Sequence, residues 1–118
     1  MKDSIKLDLK SKIPIYIQIR DQIKLKFSTG ELKADQQMPP VRELAEMLLI
    51  NPNTVAKAYH ELELEGYIKT QRGMGTFVSD RAGDDIYRVI RTMILNLTDL
   101  GLSADEIRKS VDEILSAE

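Results

Sequence analysis

The residues best suited to chemistry in this chain are small polar groups and a cation that follow a turn. Asn53, Thr54 and Lys57 come directly after Asn51-Pro52, and an asparagine followed by a proline is typical of the start of a helix. Side chains of these types hydrogen-bond to the edges of bases and to phosphate oxygens. Contact with a nucleic acid is therefore a chemistry that this segment can offer.

The sequence shows no set of residues suited to catalysis. The chain has one histidine, His60, and no cysteine, and its scattered carboxylates form no pattern of a nucleophile with a base or of a metal cluster. His60 lies off the buried stripe of its helix and is expected to be exposed. Gly73-Met74-Gly75 superficially suggests a nucleotide loop, but no helix opens after it and a third glycine is missing. We expect neither an enzyme nor a bound cofactor.

Residues 38–65 are predicted to form two short helices joined by a sharp turn, which is a helix-turn-helix. Apolar residues recur at spacings of three and four and predict a buried stripe on each helix: Val41, Leu44, Ala45 and Leu48, then Val55, Ala58, Tyr59 and Leu62. Arg42 of the first helix is left facing outward, as are Asn53, Thr54, Ala56 and Lys57 of the second. A helix is about as wide as the major groove of DNA, so the second helix could enter one.

Two β-rich runs follow the second helix. Tyr67-Ile68 and Thr76-Phe77-Val78 have the branched and aromatic content of strands, and Gly73-Met74-Gly75 supplies a turn between them. Lys69 and Arg72 sit beside the tip. A hairpin in this place is the wing of a winged helix, and its cations would meet phosphate or the minor groove.

The rest of the first 80 residues supports this unit. Ile5, Leu7 and Leu9 alternate as a short strand, and Pro14 opens a helix that Gly30 closes. A linker over residues 80–85 contains Gly83 and separates the winged domain from a tail. The predicted fold class is α+β, mainly α, with a winged helix-turn-helix domain over 1–80 and a two-helix dimerisation appendage over 84–118.

The two tail helices carry more apolar residues than they can bury against each other. Gly101 ends the first, and Ser103 with Glu106 has the spacing of a capping box at the start of the second. An exposed stripe of this width predicts a partner, and a second copy of the chain is the economical one. The alternative is that the tail packs back on its own winged domain. The residues expected at a dimer interface are Ile86, Val89, Ile90, Met93, Ile94, Leu97, Ile107, Val111 and Ile114.

The charge of the chain is unevenly divided. Its net value is −2, but residues 1–80 hold twelve lysines and arginines against eleven acids, whereas residues 81–118 hold five against eight. The tail carries the acidity, so affinity for DNA should come from a few placed cations rather than from a broad basic field. No signal peptide or long apolar run appears, so a soluble, cytoplasmic protein without a membrane partner is expected.

An ordered series of motifs also carries a family resemblance. The segments are Pro14-Ile15-Tyr16-Ile17-Gln18-Ile19, Gly30-Glu31-Leu32, Met38-Pro39-Pro40-Val41-Arg42-Glu43-Leu44-Ala45, Asn53-Thr54-Val55, Ala58-Tyr59, Leu62-Glu63-Leu64-Glu65-Gly66 and Gly73-Met74-Gly75-Thr76-Phe77-Val78. Together they resemble the N-terminal domain of the GntR family of bacterial transcription regulators. The short tail resembles that of the YtrA subfamily.

The resemblance implies repressor-type control, often of an operon that includes ABC-transporter genes. The family's usual DNA-contacting positions fall here on Arg42, on Asn53 and Thr54, and on Arg72 and Gly73. Some positions depart from the family pattern. Pro40 stands where a serine cap is usual and Leu49 where a turn glycine is usual. Pro52 and Ala56 replace common arginines, so base readout should rest less on arginine. Double-stranded DNA and a second copy of the chain are the expected partners.

Each of the proposed DNA-contacting residues also has a purely structural interpretation. Arg42 could be a solvated charge or an intrahelical partner of Glu46, Thr54 and Lys57 could be ordinary surface, and Arg72 could keep the hairpin soluble. A winged helix used only for protein contacts would carry an apolar or acidic outward face over residues 53–57, and this face is neither. A small-molecule effector would find at best a shallow groove at a dimer interface.

Overall fold

The computed structural model describes residues 5–82 and 84–117, so Gly83 of the expected linker lies outside the described residues. Within them the chain forms five helices and one antiparallel pair of strands. The elements are α1 (Ile15–Ser28), α2 (Val41–Leu48), α3 (Pro52–Leu64), β1 (Ile68–Gln71), β2 (Gly75–Val78), α4 (Asp85–Asp99) and α5 (Ala104–Ser116). This is the predicted winged helix-turn-helix followed by two tail helices.

The core lies where α1 and α2 both pack against α3. The predicted stripe of α3 is buried in full, whereas in α2 Leu44 and Ala45 are buried and Val41 and Leu48 are half-buried against the same core. The largest fully buried side chains are Ile19, Ile23, Met38, Leu44, Val55, Leu62 and Val78. Because they come from three helices and from the wing, one hydrophobic core holds the whole winged domain together.

The N-terminal arm is not a strand, so that prediction is wrong. Residues 5–8 have no regular secondary structure, although Ile5 is buried and Leu7 packs against the core as the alternation predicted. Two glutamine side chains of α1 take the place of a neighbouring strand. Gln22 accepts from the backbone N–H of Lys6 at 2.9 Å and donates to its carbonyl oxygen at 2.7 Å, and Gln18 does the same for Asp8 at 2.9 and 3.1 Å.

The turn between α2 and α3 is formed by Leu49 in the left-handed conformation, with φ 57°. The N–H of Leu49 donates to the carbonyl of Glu46, and that of Ile50 donates to the carbonyl of Ala45, so two of the last four carbonyls of α2 are satisfied. The Leu49 side chain is 90% exposed. The helix that follows begins as predicted, because the Asn51 side chain accepts from the N–H of Asn53 at 2.8 Å.

The wing has the predicted hairpin and a third segment that the sequence did not indicate. Strands β1 and β2 pair from Ile68 with Val78 to Gln71 with Gly75, and Gly73 and Gly75 have φ 77° and 119° at the tip. Residues 35–38 run along the other edge of β2. Three backbone hydrogen bonds of 2.7–2.9 Å fix them there, including one from the N–H of Met38 to the carbonyl of Thr76.

The tail begins at Asp84, whose side chain accepts from the N–H of Tyr87 at the start of α4. The capping box of α5 is present as predicted: Glu106 accepts from the backbone N–H of Ser103 and donates its own N–H to the Ser103 hydroxyl. The N–H of Ser103 holds the pKa of Glu106 below its ordinary value. None of the helices in the described part of the chain is long and apolar enough to cross a membrane.

Candidate nucleic-acid interface

The first turns of α3 present the polar surface that the sequence predicted. Asn53, Ala56 and Lys57 are exposed and Thr54 is half-buried. The N-cap contact occupies the backbone N–H of Asn53 rather than its side chain. Within residues 5–82 and 84–117, the Asn53 amide and the Thr54 hydroxyl make no hydrogen bond to protein. Both groups therefore keep their hydrogen-bonding capacity for an external partner.

Lys57 is held by an aromatic ring of α1. Its ammonium lies 4.2 Å from the centre of the Tyr16 ring, which is within the range of a favourable cation–π contact. Sequence reasoning missed Tyr16, because the two residues are far apart in the chain and no spacing relates them. The ring fixes where the cation sits without neutralising its charge.

Arg42 lies on the exposed side of α2, as expected. The alternative interpretation, an ion pair with Glu46, is not found: in the described part of the chain Arg42 has no carboxylate partner. Several other cations of the winged domain do have one, including Arg20 with Asp21, Lys24 with Glu65 and Lys26 with Glu31. Arg42 is thus a cation whose charge is left to the solvent.

The wing tip carries Arg72 and Gly73, both exposed. Arg72 makes no ion pair with any described carboxylate. Lys69, in contrast, pairs with Asp35 across the wing at 3.2 Å, so the two cations that flank the tip differ in their availability. Gln37, which the sequence did not single out, donates to the carbonyl of Met74 at 3.4 Å and supports the tip from the third segment.

Among the described residues, this surface brings together three cations without a carboxylate partner, two polar side chains without a protein hydrogen bond, and a wing tip of glycine backbone. Arg42, Lys57 and Arg72 can neutralise phosphates, and Asn53 and Thr54 can hydrogen-bond to base edges. His60 is exposed, and no group of three potential metal ligands is found among the described residues.

Residues 15–78 match the family model described as bacterial regulatory proteins, gntR family. The chain belongs to the GntR family. As a GntR protein it is similar to the HTH-type transcriptional repressor YtrA of Bacillus subtilis (strain 168), with 47% identity over 90 residues. The aligned part covers 76% of this chain and 69% of the repressor.

Solved GntR structures agree with the sequence comparison. YtrA from Sulfolobus acidocaldarius, a GntR-family transcription factor, superposes with a TM-score of 0.65 at 40% identity, over 96% of this chain and 97% of that one. The similarity therefore extends through the tail, and the predicted YtrA-like resemblance is confirmed.

A further structural neighbour is a complex with an operator. The DNA-binding domain of AraR in complex with operator ORX1 superposes with a TM-score of 0.56 at 28% identity, over 63% of this chain and 92% of that domain. Relatives and fold are those of DNA-binding transcription regulators and not of enzymes. The protein is a transcription regulator of this family.

Proposed function

We propose that the chain is a repressor that binds a near-palindromic operator as a homodimer. Residues 1–80 form the DNA-binding domain and residues 84–118 the dimerisation tail. The observation that carries the proposal is where three cations lie: Arg42 on α2, Lys57 near the start of α3 and Arg72 at the wing tip, each without a carboxylate partner among the described residues. The net charge of the domain is close to zero. Cations of this kind supply phosphate contacts where no broad basic field exists.

The proposed contacts divide into two kinds. Asn53 and Thr54, at the start of α3, reach base edges in the major groove and supply specificity. Arg42, Lys57 and Arg72 contact phosphates, and Gly73 lets the wing backbone approach the duplex closely. Phosphate contacts position the domain, and base contacts select the sequence.

Dimerisation is supported by the apolar face of the tail. Ile86 is 75% exposed and Met93 is 60% exposed. Val89, Ile90, Ile94, Val111 and Ile114 are also exposed, and Leu97 is half-buried. A continuous apolar surface of this kind on a small protein favours a partner. Ile107 differs, because it is already buried within its own chain at 6% exposure. Its proposed contribution is therefore indirect, through packing behind the exposed residues of the interface.

The regulated genes are proposed from the family resemblance. Repression of an operon that includes ABC-transporter genes is what a YtrA-like regulator implies, and the relative from Bacillus subtilis is named a repressor. A regulator that acts on chromosomal DNA works in the cytoplasm, which is the location that we propose.

The experiment is selection of bound duplexes from a random pool with the full chain, followed by affinity measurements at several salt concentrations. We expect a near-palindromic consensus and a steep fall in affinity with salt. Arg42→Ala and Arg72→Ala should each weaken binding and make the salt dependence shallower, by a similar amount on consensus and random DNA. If the double variant Arg42→Ala/Arg72→Ala kept the affinity and the salt dependence of the wild type, the proposal would be contradicted.

A further inference from the structure

Two arginines of α4 connect the tail to the winged domain at the C-terminal end of α3. Arg91 donates from Nε to the carbonyl of Leu64 and from Nη2 to the carbonyl of Glu63, each at 3.4 Å. These carbonyls belong to the last turn of α3, where the helix dipole favours a cation. The helix proposed to enter the DNA groove is therefore connected at its far end to the tail.

Arg88 makes the second connection. Its guanidinium lies 4.4 Å from the centre of the Tyr67 ring, and Tyr67 in turn stacks on Phe27 of α1 with ring centres 5.0 Å apart. Arg88 also donates to the carbonyl of Ala82 and to the carboxylate of Asp85. A guanidinium with two acceptors and an aromatic ring beneath it is fixed in direction, which a flexible lysine would not be.

Gly66 lets α4 approach this closely. It lies two residues after the end of α3, with φ 84°, and a Cβ at this position would lie only 3.0 Å from Cδ of Arg91. The junction is thus a close contact between backbone and side chains, rather than a loose linker. The tail junction consists of Arg88, Arg91, Tyr67 and Gly66.

The junction and the apolar face lie on nearly opposite sides of α4. Successive residues of a helix are about 100° apart, so residues two positions apart are about 200° apart. Ile86 and Ile90 each stand two positions from Arg88, and Met93 stands two positions from Arg91. One side of α4 therefore faces α3 while the other side is available to a second copy.

We propose that Arg88 and Arg91 are positioning residues that set the half-site spacing the dimer accepts. This rests on the proposed dimeric function. With α4 between the dimer interface and α3, the junction fixes the distance and angle between the two recognition helices. One extra base pair moves the second half-site by about 3.4 Å and rotates it by about 35°. A rigid junction cannot follow that change, whereas a loosened junction can.

The test compares the wild type with Arg88→Ala/Arg91→Ala on a series of duplexes. The series holds the selected operator, versions with the centre lengthened or shortened by one or two base pairs, and an isolated half-site. Arg108→Ala is the matched control, since Arg108 also makes an i,i+3 ion pair with an aspartate of the tail, at 3.0 Å, but is 72% exposed. Single Arg91→Ala provides a milder loosening that leaves the Arg88 contacts in place.

We expect the double variant to remain dimeric, to bind the half-site like the wild type, and to lose affinity roughly tenfold on the selected spacing because its effective concentration at the second half-site falls. Its affinities across the series should become nearly equal. Arg91→Ala should change in the same direction by less, and Arg108→Ala should match the wild type. A spacing preference as sharp as that of the wild type would overturn the inference, as would an equal loss on the half-site. A monomeric wild type without spacing preference would instead overturn the proposed dimer, and this inference with it.

Discussion

The hydroxyl of Tyr59 in α3 donates a 2.7 Å hydrogen bond to the carbonyl oxygen of Pro39, just ahead of α2. The ring is buried, and burial raises the pKa of the Tyr59 hydroxyl, which therefore remains a donor at any physiological pH. The contact joins α3 to the start of α2 without involving the turn between them.

Tyr59→Phe should lower the free energy of unfolding by about 1–2 kcal/mol, because the Pro39 carbonyl loses its partner in a part-buried site. Chemical denaturation measures the change. Tyr87→Phe is the control, since the Tyr87 hydroxyl makes no hydrogen bond in the described part of the chain, and its stability should match the wild type. Equal stability of Tyr59→Phe and wild type would show that water replaces the hydroxyl.

Thr54→Ala and Asn53→Ala should each cost about 1–3 kcal/mol of binding free energy on the selected operator and little on random DNA. Only the operator presents base edges that match these two side chains, so only on the operator does each variant lose a hydrogen bond to a base. Fluorescence anisotropy on both duplexes measures the difference, with His60→Ala, exposed further along α3, as the control. Equal losses on both duplexes would show that these side chains contact the DNA backbone or stabilise the start of α3 instead of contacting bases.

Ile90→Asp/Ile94→Asp should make the full chain sediment as a monomer, since unpaired carboxylates are strongly unfavourable in an apolar interface. Operator affinity should fall by a factor on the order of 10² or more, while half-site affinity stays unchanged. Lys109→Asp places a carboxylate on α5 two positions from both Ile107 and Val111, hence on the other side of that helix, and should leave the dimer intact. A double variant that remains dimeric would place the interface elsewhere.

Leu49→Gly should stabilise the protein by up to about 1.5 kcal/mol. The left-handed conformation of Leu49 costs about 1–2 kcal/mol for a residue with a Cβ, and glycine removes that cost while adding roughly 0.5–1 kcal/mol of chain entropy to the unfolded state. Thermal unfolding measures the change. Leu49→Ala retains the Cβ and removes only an exposed side chain, so its stability should stay near that of the wild type. A glycine variant that is less stable than the alanine variant by the full entropy cost of about 0.5–1 kcal/mol would show that the turn is unstrained.

Local signals in the sequence predicted the parts of the fold that depend on neighbouring residues. Asn51 before Pro52 marked the start of α3, and Ser103 with Glu106 marked the start of α5, because each cap is completed within a few residues. The N-terminal arm shows where this reasoning fails. Alternation correctly placed Ile5 against the core, but it could not reveal that glutamine side chains rather than a strand would satisfy the backbone.

In the candidate site, too, local spacing predicted some features, whereas others are visible only in the folded structure. Helix periodicity predicted that Arg42, Asn53 and Thr54 face outward; Arg42 and Asn53 are exposed, and Thr54 is half-buried. The contact of Lys57 with Tyr16 and that of Arg91 with the last turn of α3 join residues distant in the chain. Because such pairs have no fixed spacing, only the folded structure reveals them.

The hydrogen bond from Met38 to Thr76 gives the wing a mechanical link to the helix-turn-helix. Met38 is close to the start of α2, and β2 leads back from the wing tip, so the tip and Arg42 share one short, hydrogen-bonded frame. A displacement of the hairpin would therefore also move the segment that leads into α2. In the proposed complex with DNA, the wing and α2 would then shift on the duplex together, as one rigid unit.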